Sequence, residues 1–415
     1  MIISYIYIIQ YIIQNVTHAA KSLHYLIKVK IFVEFALWYN VFMKRLVDYK
    51  EEIHKCSKCG LCQAECPIYK ITGNDCTVSR GQFAMLQGVI NGELKMTKTI
   101  NEYLDLCLKC GACSKFCPSG IDVVDVIVTA KSEYFKLHPI EKFKTVFQKY
   151  FIFGLIPRIA RTFNRPTRSE KFEKKVLYFG GCGSKLKGDK ALVKILNSIN
   201  VQVINPNFHC CGIPYFSRGD LVEFNNSIKN YIKILKKYDI KEVVTTCASC
   251  EKSLKDYIKW TNGSNIPEED IEFLKTIKVK NIYEYLRENN KKIALKKPVK
   301  ITYHKPCNIS NFEDIKWLLE NTENLEYIEM QDFNKCCGLN GISKVKEFKI
   351  TSKIFEAKRN NIKQSGAKFV TTSCLGCEIA LSSYSFGQYK VKDLIEFLSS
   401  RVWILDHMVY VNSNL

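Results

Sequence analysis

The run Cys56-Ser57-Lys58-Cys59-Gly60-Leu61-Cys62-Gln63-Ala64-Glu65-Cys66-Pro67 has a cysteine pattern that occurs twice in this chain. The second copy is Cys107-Leu108-Lys109-Cys110-Gly111-Ala112-Cys113-Ser114-Lys115-Phe116-Cys117-Pro118. Both follow C-x2-C-x2-C-x3-C-P, in which three thiolates reach one 4Fe–4S cube and the fourth serves the other cube. The spacing predicts that cluster I is held by Cys56, Cys59, Cys62 and Cys117. It predicts that cluster II is held by Cys66, Cys107, Cys110 and Cys113. A pair of zinc knuckles is the alternative, but zinc needs four ligands in one closed set.

The residues between and after the two runs predict helices. One helix begins at Ser79, a second spans residues 99–108, and Asp122 is placed to cap a third that ends near Leu137. We therefore expect residues 43–130 to form a mostly helical domain with two 4Fe–4S clusters.

The C-terminal half is an internal duplication. One set of cysteines recurs 125 to 127 positions further on, which is a strong repeat signal. The first set is Cys182, Cys210, Cys211, Cys247 and Cys250, and the second is Cys307, Cys336, Cys337, Cys374 and Cys377. In each half short β-branched or aromatic runs end at a cysteine loop, so an α/β fold with its ligands at the strand ends is expected. The boundaries expected for the repeats are 176–297 and 298–400.

Five thiolates in each repeat exceed the four that one zinc ion or one cube needs. Adjacent cysteines do not easily form a disulfide with each other, so each Cys-Cys pair indicates a shared multinuclear metal site. An iron–sulfur cluster is predicted for each repeat, with a zinc ion plus a spare thiol as the alternative. Of the 19 cysteines only Cys76 is left over, and we interpret it as an inert small hydrophobe. We interpret His209 and His304 as hydrogen-bonded loop residues that tune the neighbouring clusters, in preference to ligands.

Together these motifs resemble the iron–sulfur subunit of glycolate oxidase (glycolate/D-lactate dehydrogenase), in a wider family of Cys-Cys-Gly-domain proteins that includes heterodisulfide reductase subunits. The resemblance covers about residues 50–400 and includes Ser79-Arg80-Gly81 and Tyr303-His304-Lys305-Pro306-Cys307. It implies electron transfer from a separate flavin subunit that oxidises a 2-hydroxy acid. For the heterodisulfide reductase branch it implies a non-cubane 4Fe–4S cluster bound by five cysteines. The family commonly has an acidic residue in place of Lys305 and His in place of Asn308.

The remaining segments carry less information. Residues 1–42 are unlike the rest, and we interpret them as an over-extended start with Met43 as the initiator, or else as an amphipathic membrane anchor. The basic segment 131–175 has a net charge of +8 within a chain of net charge +21. It predicts core-packing linker helices with a solvated basic face, and membrane-surface contact is the alternative. Residues 401–415 are taken as a featureless tail.

The fold class predicted is α plus α/β: a helical ferredoxin domain followed by a duplicated cysteine-rich unit. We expect electron transfer from a partner flavoprotein to a quinone or other acceptor, in the cytoplasm or peripherally on the inner face of the cytoplasmic membrane. No catalytic residue, nucleotide site, flavin site or nucleic-acid module is expected on this chain. One rival is a heterodisulfide-reductase-like catalytic subunit, and the other is a zinc-stabilised interaction scaffold.

Overall fold

The computed structural model describes residues 44–138, 166–183, 189–206, 208–261, 264–290, 292–339, 348–400, 402–405 and 408–411. The chain separates into two compact units, and every contact described below lies within the unit that comprises Arg45–Asn262 and Ile266–Leu415. The extension 1–42 and most of the basic linker, residues 139–165, lie outside the described residues.

The ferredoxin domain, within residues 44–138, is built from short helices around an apolar core. The helices are α1 Lys50–His54, α2 Leu61–Glu65, α3 Pro67–Thr72, α4 Ser79–Ile90, α5 Lys98–Leu106, α6 Ala112–Lys115 and α7 Val123–Leu137. The longest of them, α7, is buried along most of its length, and Val126, Ile127 and Tyr134 are fully enclosed. The helices predicted to begin at Ser79 and after Asp122 are confirmed. The predicted cap is wrong, because the Asp122 side chain makes no capping hydrogen bond within the described residues and pairs with Lys259 on another helix.

The first cysteine-rich repeat is a parallel α/β unit. Its elements are β1 Lys174–Tyr178, α8 Lys190–Asn197, β2 Val201–Ile204, α9 Ile213–Phe216, α10 Leu221–Leu235, β3 Glu242–Thr245, α11 Ala248–Thr261, α12 Glu268–Lys275, β4 Lys278–Asn281 and α13 Ile282–Glu288. The strand order is β2-β1-β3-β4, and every pairing is parallel.

The second repeat has the same topology. Its elements are β5 Ile293–His304, α14 Glu313–Glu320, β6 Glu323–Tyr327, α15 Phe348–Gln364, β7 Phe369–Thr372, α16 Leu375–Ser383, β8 Lys390–Asp393 and α17 Leu394–Ser399. Parallel pairing in the order β6-β5-β7-β8 reproduces the order of the first sheet. The predicted fold class is therefore confirmed, and the duplication extends from the sequence to the strand order.

One apolar core joins the two repeats. It combines Val176 and Leu196 of the first repeat with Ile301, Tyr303 and Leu394 of the second, all of them buried. Because neither half keeps this core to itself, we infer that the two repeats fold as one body.

The structure places the boundary between the two repeats differently from the prediction made from the sequence. Strand β5 starts at Ile293, so the expected boundary between residues 297 and 298 falls inside it. The residues at this boundary, Lys296 to Pro298, are the exposed middle of the strand, beside a shift in its register with β6. Proline is tolerated within a strand at such an irregularity.

The expectation of a featureless tail is wrong for part of residues 401–415. Strands β9 Val402–Leu405 and β10 Met408–Val411 pair antiparallel, and β10 also pairs with Ile293–Leu295 of β5. These runs are too short to be distinguished from loop by their periodicity, and the edge of β5 supplies the pairing that fixes them.

Candidate metal centres

Both ferredoxin cysteine runs fold into the same turn. Lys58 and Lys109, two residues after the first cysteine of each run, have φ angles of 57° and 51°. Gly60 and Gly111, two residues further on, have φ angles of 84° and 70°. This left-handed backbone bends the chain twice within five residues, and glycine accepts such a conformation without steric cost. The matching geometry explains how one spacing produces two equivalent sites.

Two cavities lie beside these turns. The first is lined by Cys56, Cys59, Cys62 and Cys117, and the second by Cys66, Cys107, Cys110 and Cys113. Each predicted ligand set therefore meets at one cavity, and each includes the cysteine that precedes proline in the other run. Cys113 also borders the first cavity, so the two sites adjoin. The ligand assignment itself stays a prediction.

The second cavity is the more enclosed of the two. Burial raises the pKa of Cys66 to about 11, and burial also raises the pKa of Cys107. Thiols that are this reluctant to ionise need a strong positive charge to become thiolates, and a metal centre supplies one.

The first cavity opens to solvent at Cys59, which is exposed. The backbone N–H of Leu61 stabilises the Cys59 thiolate and lowers the pKa of that thiol. Arg80, from the Ser-Arg-Gly motif, also lines this cavity and acts in the same direction. The first site therefore has one cysteine that a partner protein could reach, with a cation nearby.

A buried ion pair that the sequence analysis did not predict accompanies the second cavity. Lys131 on α7 pairs with Asp105 on α5, and the lysine side chain is only 3% exposed. Lys131 also favours the thiolate form of Cys107. Helical periodicity places residue 131 on α7, but no local pattern shows that its amine turns inward.

In the first repeat the five cysteines converge at the carboxyl ends of the strands. Cys182 contacts Cys210, Cys211 contacts Cys250, and Cys250 contacts Cys247. Cys211 and Cys250 are buried, and all five thiols are free of disulfides. The structure thus brings together every cysteine predicted for this site.

The Cys-Cys-Gly loop of the first repeat is anchored by helix α11. The carbonyl of Cys211 accepts hydrogen bonds from Ser253 Oγ at 2.7 Å and Tyr257 OH at 2.9 Å. Both donors are buried, so this loop is held by groups that have no competing water.

The second repeat repeats this convergence. Cys307 contacts Cys336, Cys337 contacts Cys377, and Cys374 contacts Cys377. Cys337, Cys374 and Cys377 are buried, and Gly338 N–H donates to Cys336 Sγ at 3.5 Å. All five predicted cysteines again meet at one place.

The three deepest sites are joined to one another by thiol contacts. Cys110, from the second ferredoxin cavity, contacts Cys336 of the second repeat, and both pack beside the apolar group of Leu108 and Ile354. Cys374 of the second repeat contacts Cys247 of the first. The series of thiol contacts therefore runs from the ferredoxin site to the second-repeat site and then to the first-repeat site, which differs from the order along the chain.

A polar bridge accompanies the contact between the repeats. Asn308 Nδ2 donates to Ser249 Oγ at 3.1 Å, and Ser249 Oγ lies 3.2 Å from Cys374 Sγ. Because the amide occupies a lone pair of the hydroxyl oxygen, the hydroxyl proton is free to point at the sulfur. Backbone pairing adds to this, since Ala248 N–H donates to the carbonyl of Ser373 at 2.8 Å.

The two positions that depart from the family pattern both have structural partners. Asn308 forms the bridge just described, and the backbone N–H of Lys305 donates to Phe333 O at 3.0 Å. The ammonium of Lys305 lies 5.0 Å from the centre of the Phe312 ring, a cation–π contact.

His209 and His304, which the sequence analysis interpreted in the same way, lie in different environments. His209 is exposed, whereas His304 is completely buried at the end of β5. Burial lowers the pKa of His304 to about 3, so its ring is neutral. The interpretation of His304 as a hydrogen-bonded loop residue is wrong, because it ends a strand and neither ring nitrogen has a partner among the described residues.

These residues fit iron–sulfur clusters. Each ferredoxin cavity offers four thiols, and its other lining side chains include the apolar Phe83, Ile121 and Val123 in the first and Ile68, Val78 and Leu108 in the second. Thiolates are the ligands that such clusters require, and apolar walls limit access of solvent.

Known protein families agree with this chemistry. A family described as a 4Fe-4S dicluster domain matches residues 52–121, and a family described as a cysteine-rich domain matches residues 176–255 and 301–382. These matches together span more than half of the chain. The class is therefore that of iron–sulfur proteins.

Similar proteins narrow the class. A probable glycolate oxidase iron-sulfur subunit of Bacillus subtilis is 24% identical, over 81% of this chain and 90% of its own length. The glycolate oxidase iron-sulfur subunit of Escherichia coli is 22% identical, over 85% of this chain and 95% of its own length. One component of the dihydromethanophenazine:CoB–CoM heterodisulfide reductase of Methanosarcina acetivorans is 22% identical, over 79% of this chain and 88% of its own length. The chain belongs to the family of Cys-Cys-Gly-domain iron–sulfur proteins that includes these components of oxidoreductases.

Proposed function

We propose that this chain is the iron–sulfur electron-transfer subunit of a flavin-dependent 2-hydroxy-acid dehydrogenase complex that acts on glycolate or D-lactate. A partner flavoprotein would oxidise the hydroxy acid, and a quinone or another acceptor would receive the electrons. Similarity to the two glycolate oxidase subunits supports this choice of complex.

The observation that carries the proposal is the unbroken series of cysteine sites. It runs from exposed Cys59 through the two adjoining ferredoxin cavities, and continues by Cys110–Cys336 and Cys374–Cys247 to the first repeat. A scaffold stabilised by isolated zinc ions needs no such continuity, because each structural zinc site is closed on itself.

The cysteines named above would hold the clusters, which supply one-electron carriers when bound. The chain's own contribution is to bury them and to keep neighbouring sites in contact. Five of the repeat thiols are shielded from water, since their residues are between 2% and 8% exposed: Cys211, Cys250, Cys337, Cys374 and Cys377.

The first ferredoxin site is the end that a partner would approach. Beside exposed Cys59, Leu61 is 51% exposed and Phe116 is 55% exposed, although both are large and apolar. Such residues close to an outer redox site support docking of the flavoprotein at this end.

The test is anaerobic co-purification with the flavoprotein, followed by iron, sulfide and flavin analysis and rapid-mixing spectroscopy. On addition of hydroxy acid, we expect the clusters to be reduced through the flavin. Cys110→Ser should stop electrons before the repeats, whereas the matched Cys76→Ser variant, which changes the one cysteine outside the predicted ligand sets, should behave as wild type. Clusters that hydroxy acid leaves oxidised in the complex would refute the proposal.

The same preparation tests the heterodisulfide reductase rival. The isolated, reconstituted chain is mixed with a heterodisulfide and an artificial electron donor. We expect no turnover, because a substrate disulfide must reach an iron, and five of the ten repeat thiols are buried and none is exposed. Rapid turnover without the flavoprotein would establish the rival function instead.

Peripheral attachment to the membrane is a separate part of the proposal. Among the described residues, no helix is long and apolar enough to cross a bilayer. The basic residues proposed to face anionic lipid lie outside the described part of the chain, at Lys142, Lys144, Lys149, Arg158 and Arg161. Binding to anionic vesicles that weakens as salt is added supports this attachment, and absent or salt-independent binding refutes it.

A further inference from the structure

His304 is a buried polar side chain whose ring has no hydrogen-bond partner among the described residues. It is 0% exposed, and neither Nδ1 nor Nε2 forms a hydrogen bond within the described part of the chain. Its backbone is ordinary by comparison, since its carbonyl accepts from Thr372 Oγ1 at 3.1 Å. A neutral imidazole has one donor and one acceptor nitrogen, and burying both unsatisfied is costly. Such an orphan calls for a missing partner.

The atoms around the ring indicate what that partner is. One ring nitrogen of His304 and the sulfurs of Cys337 and Cys377 all lie within 4.8 Å of one another, and all three residues are buried. The nearby cation Lys358 is already engaged, because its ammonium donates to the carbonyl of Asp332. Another cationic side chain beside this ring could not accept a hydrogen bond from the imidazole N–H. A metal ion bound by the two thiolates would instead bind the lone pair of the other ring nitrogen.

The spacing suits a single metal ion. Bonds of about 2.3 Å to sulfur and about 2.0 Å to nitrogen at tetrahedral angles separate ligand atoms by roughly 3.5–3.8 Å. The observed group, within 4.8 Å, needs only a small contraction to reach that geometry. Cys374 lies next to Cys377 in the C-x2-C segment and contacts it, so a fourth ligand is at hand.

The first repeat provides an internal comparison. Cys182 and Cys307 correspond with an offset of 125, and the same offset places Phe179 at the position of His304. Phe179 is 2% exposed, and its ring packs 4.9 Å from that of Phe208. The first repeat thus fills this position with a ring that cannot bind a metal, and its five cysteines are left as the ligands.

We propose that His304 is a nitrogen ligand that shares one metal ion with Cys337 and Cys377. The second repeat then holds a centre with mixed nitrogen and sulfur ligands, whereas the first has thiolates alone. The ion is a tetrahedral first-row metal, either zinc or one iron of the cluster in this repeat. The inference rests on the proposed function only in that the repeats bind metal.

The test compares His304→Phe with His209→Phe in the full-length protein purified without oxygen. Phenylalanine is already accepted at the corresponding position 179, so the first variant is expected to fold. We expect it to lose the metal of the second repeat while the iron of both ferredoxin sites is retained. His209→Phe changes an exposed histidine beside Cys210 and should keep the wild-type metal content.

Spectroscopy on the unmodified protein gives a readout independent of folding. With ¹⁵N-labelled histidine, pulsed EPR of an iron centre should show a nitrogen coupling, or X-ray absorption of bound zinc should show nitrogen among its ligands. All-sulfur coordination in both repeats, or wild-type metal content and spectra in His304→Phe, would overturn the assignment. Unmodified protein that shows the nitrogen ligand but contains no iron at the ferredoxin sites would count against the electron-transfer proposal alone.

Discussion

Replacing Gly219 with alanine should loosen the attachment of the first repeat to the ferredoxin domain. Gly219 precedes α10 with a φ of +80°, and a Cβ there would lie 2.7 Å from Lys131 Cβ and 2.7 Å from Ser132 N on α7. The left-handed conformation alone costs an alanine about 1 kcal/mol. Overpacking against backbone that cannot yield adds roughly 1–3 kcal/mol. The free energy of unfolding should therefore fall by about 2–4 kcal/mol.

The control is Gly92→Ala. Gly92 has a nearly identical φ of +78°, but a Cβ there would meet no atom within 4 Å. It should lose only the conformational contribution of about 1 kcal/mol, so the difference between the variants isolates the contact with α7.

Hydrogen exchange of the reconstituted protein measures the effect locally. Because each 1.4 kcal/mol is a factor of about ten, peptides from α7 in Gly219→Ala should exchange at least several-fold faster than in Gly92→Ala. The shift should also disturb the ion pair of Lys131 beside Cys107. Equal stability of the two variants with unchanged exchange in α7 would refute this account of the contact.

Three further substitutions test other contacts. Lys259→Met should lower the free energy of unfolding by about 2 kcal/mol, because it removes the cation 2.5 Å from the carboxylate of Asp125 on α7, whose side chain is 6% exposed. The control is Lys252→Met on the same helix, whose partner Asp256 lies at the surface. It should lower the free energy of unfolding by less than about 0.5 kcal/mol in the same denaturation experiment. Cys66→Ser should damage the cluster of the second cysteine run and spare that of the first, and EPR showing the reverse would exclude the crossed assignment. Ser249→Ala should lower the reduction potential of the second-repeat cluster by roughly tens of millivolts, because the hydrogen bond to the sulfur of Cys374 is lost. The control is Ser383→Ala, whose hydroxyl donates to the carbonyl of Ile379 in its own helix. Redox titration of this control should show no shift in the potential.

Much of the architecture could be predicted because cysteine spacing is a local signal. The turn at Cys56–Cys62 follows from a few residues, and the duplication follows from a nearly constant offset, 125 to 127 positions, between corresponding cysteines. The helices that start at Ser79 and after Asp122 have a helical periodicity of apolar residues that is visible in the sequence. For these features sequence and structure depend on the same short-range physics.

Features that depend on contacts distant in sequence could not be predicted. The residues around Gly219 do not indicate that it contacts α7. Those around Ser249 do not indicate that its hydroxyl lies beside the sulfur of Cys374. The pairing of β10 with Ile293–Leu295 is of the same kind. Each is fixed by tertiary packing, which overrides weak local preferences.

The order of the sites also illustrates why a duplication has to be compared with itself. Cys110 contacts Cys336 of the second repeat, and Cys374 of that repeat contacts Cys247 of the first, so the second-repeat site is the middle one in the series of thiol contacts. The second repeat is also the one in which His304 replaces the phenylalanine found at the corresponding position 179. If His304 binds the metal as proposed, the second-repeat centre would have a higher reduction potential than a centre with thiolates alone, because imidazole in place of thiolate raises the potential. The difference between the repeats is visible in the sequence once their cysteines are aligned. The proposal that this histidine binds a metal depends on the burial of its ring and on the lack of a partner among the described residues.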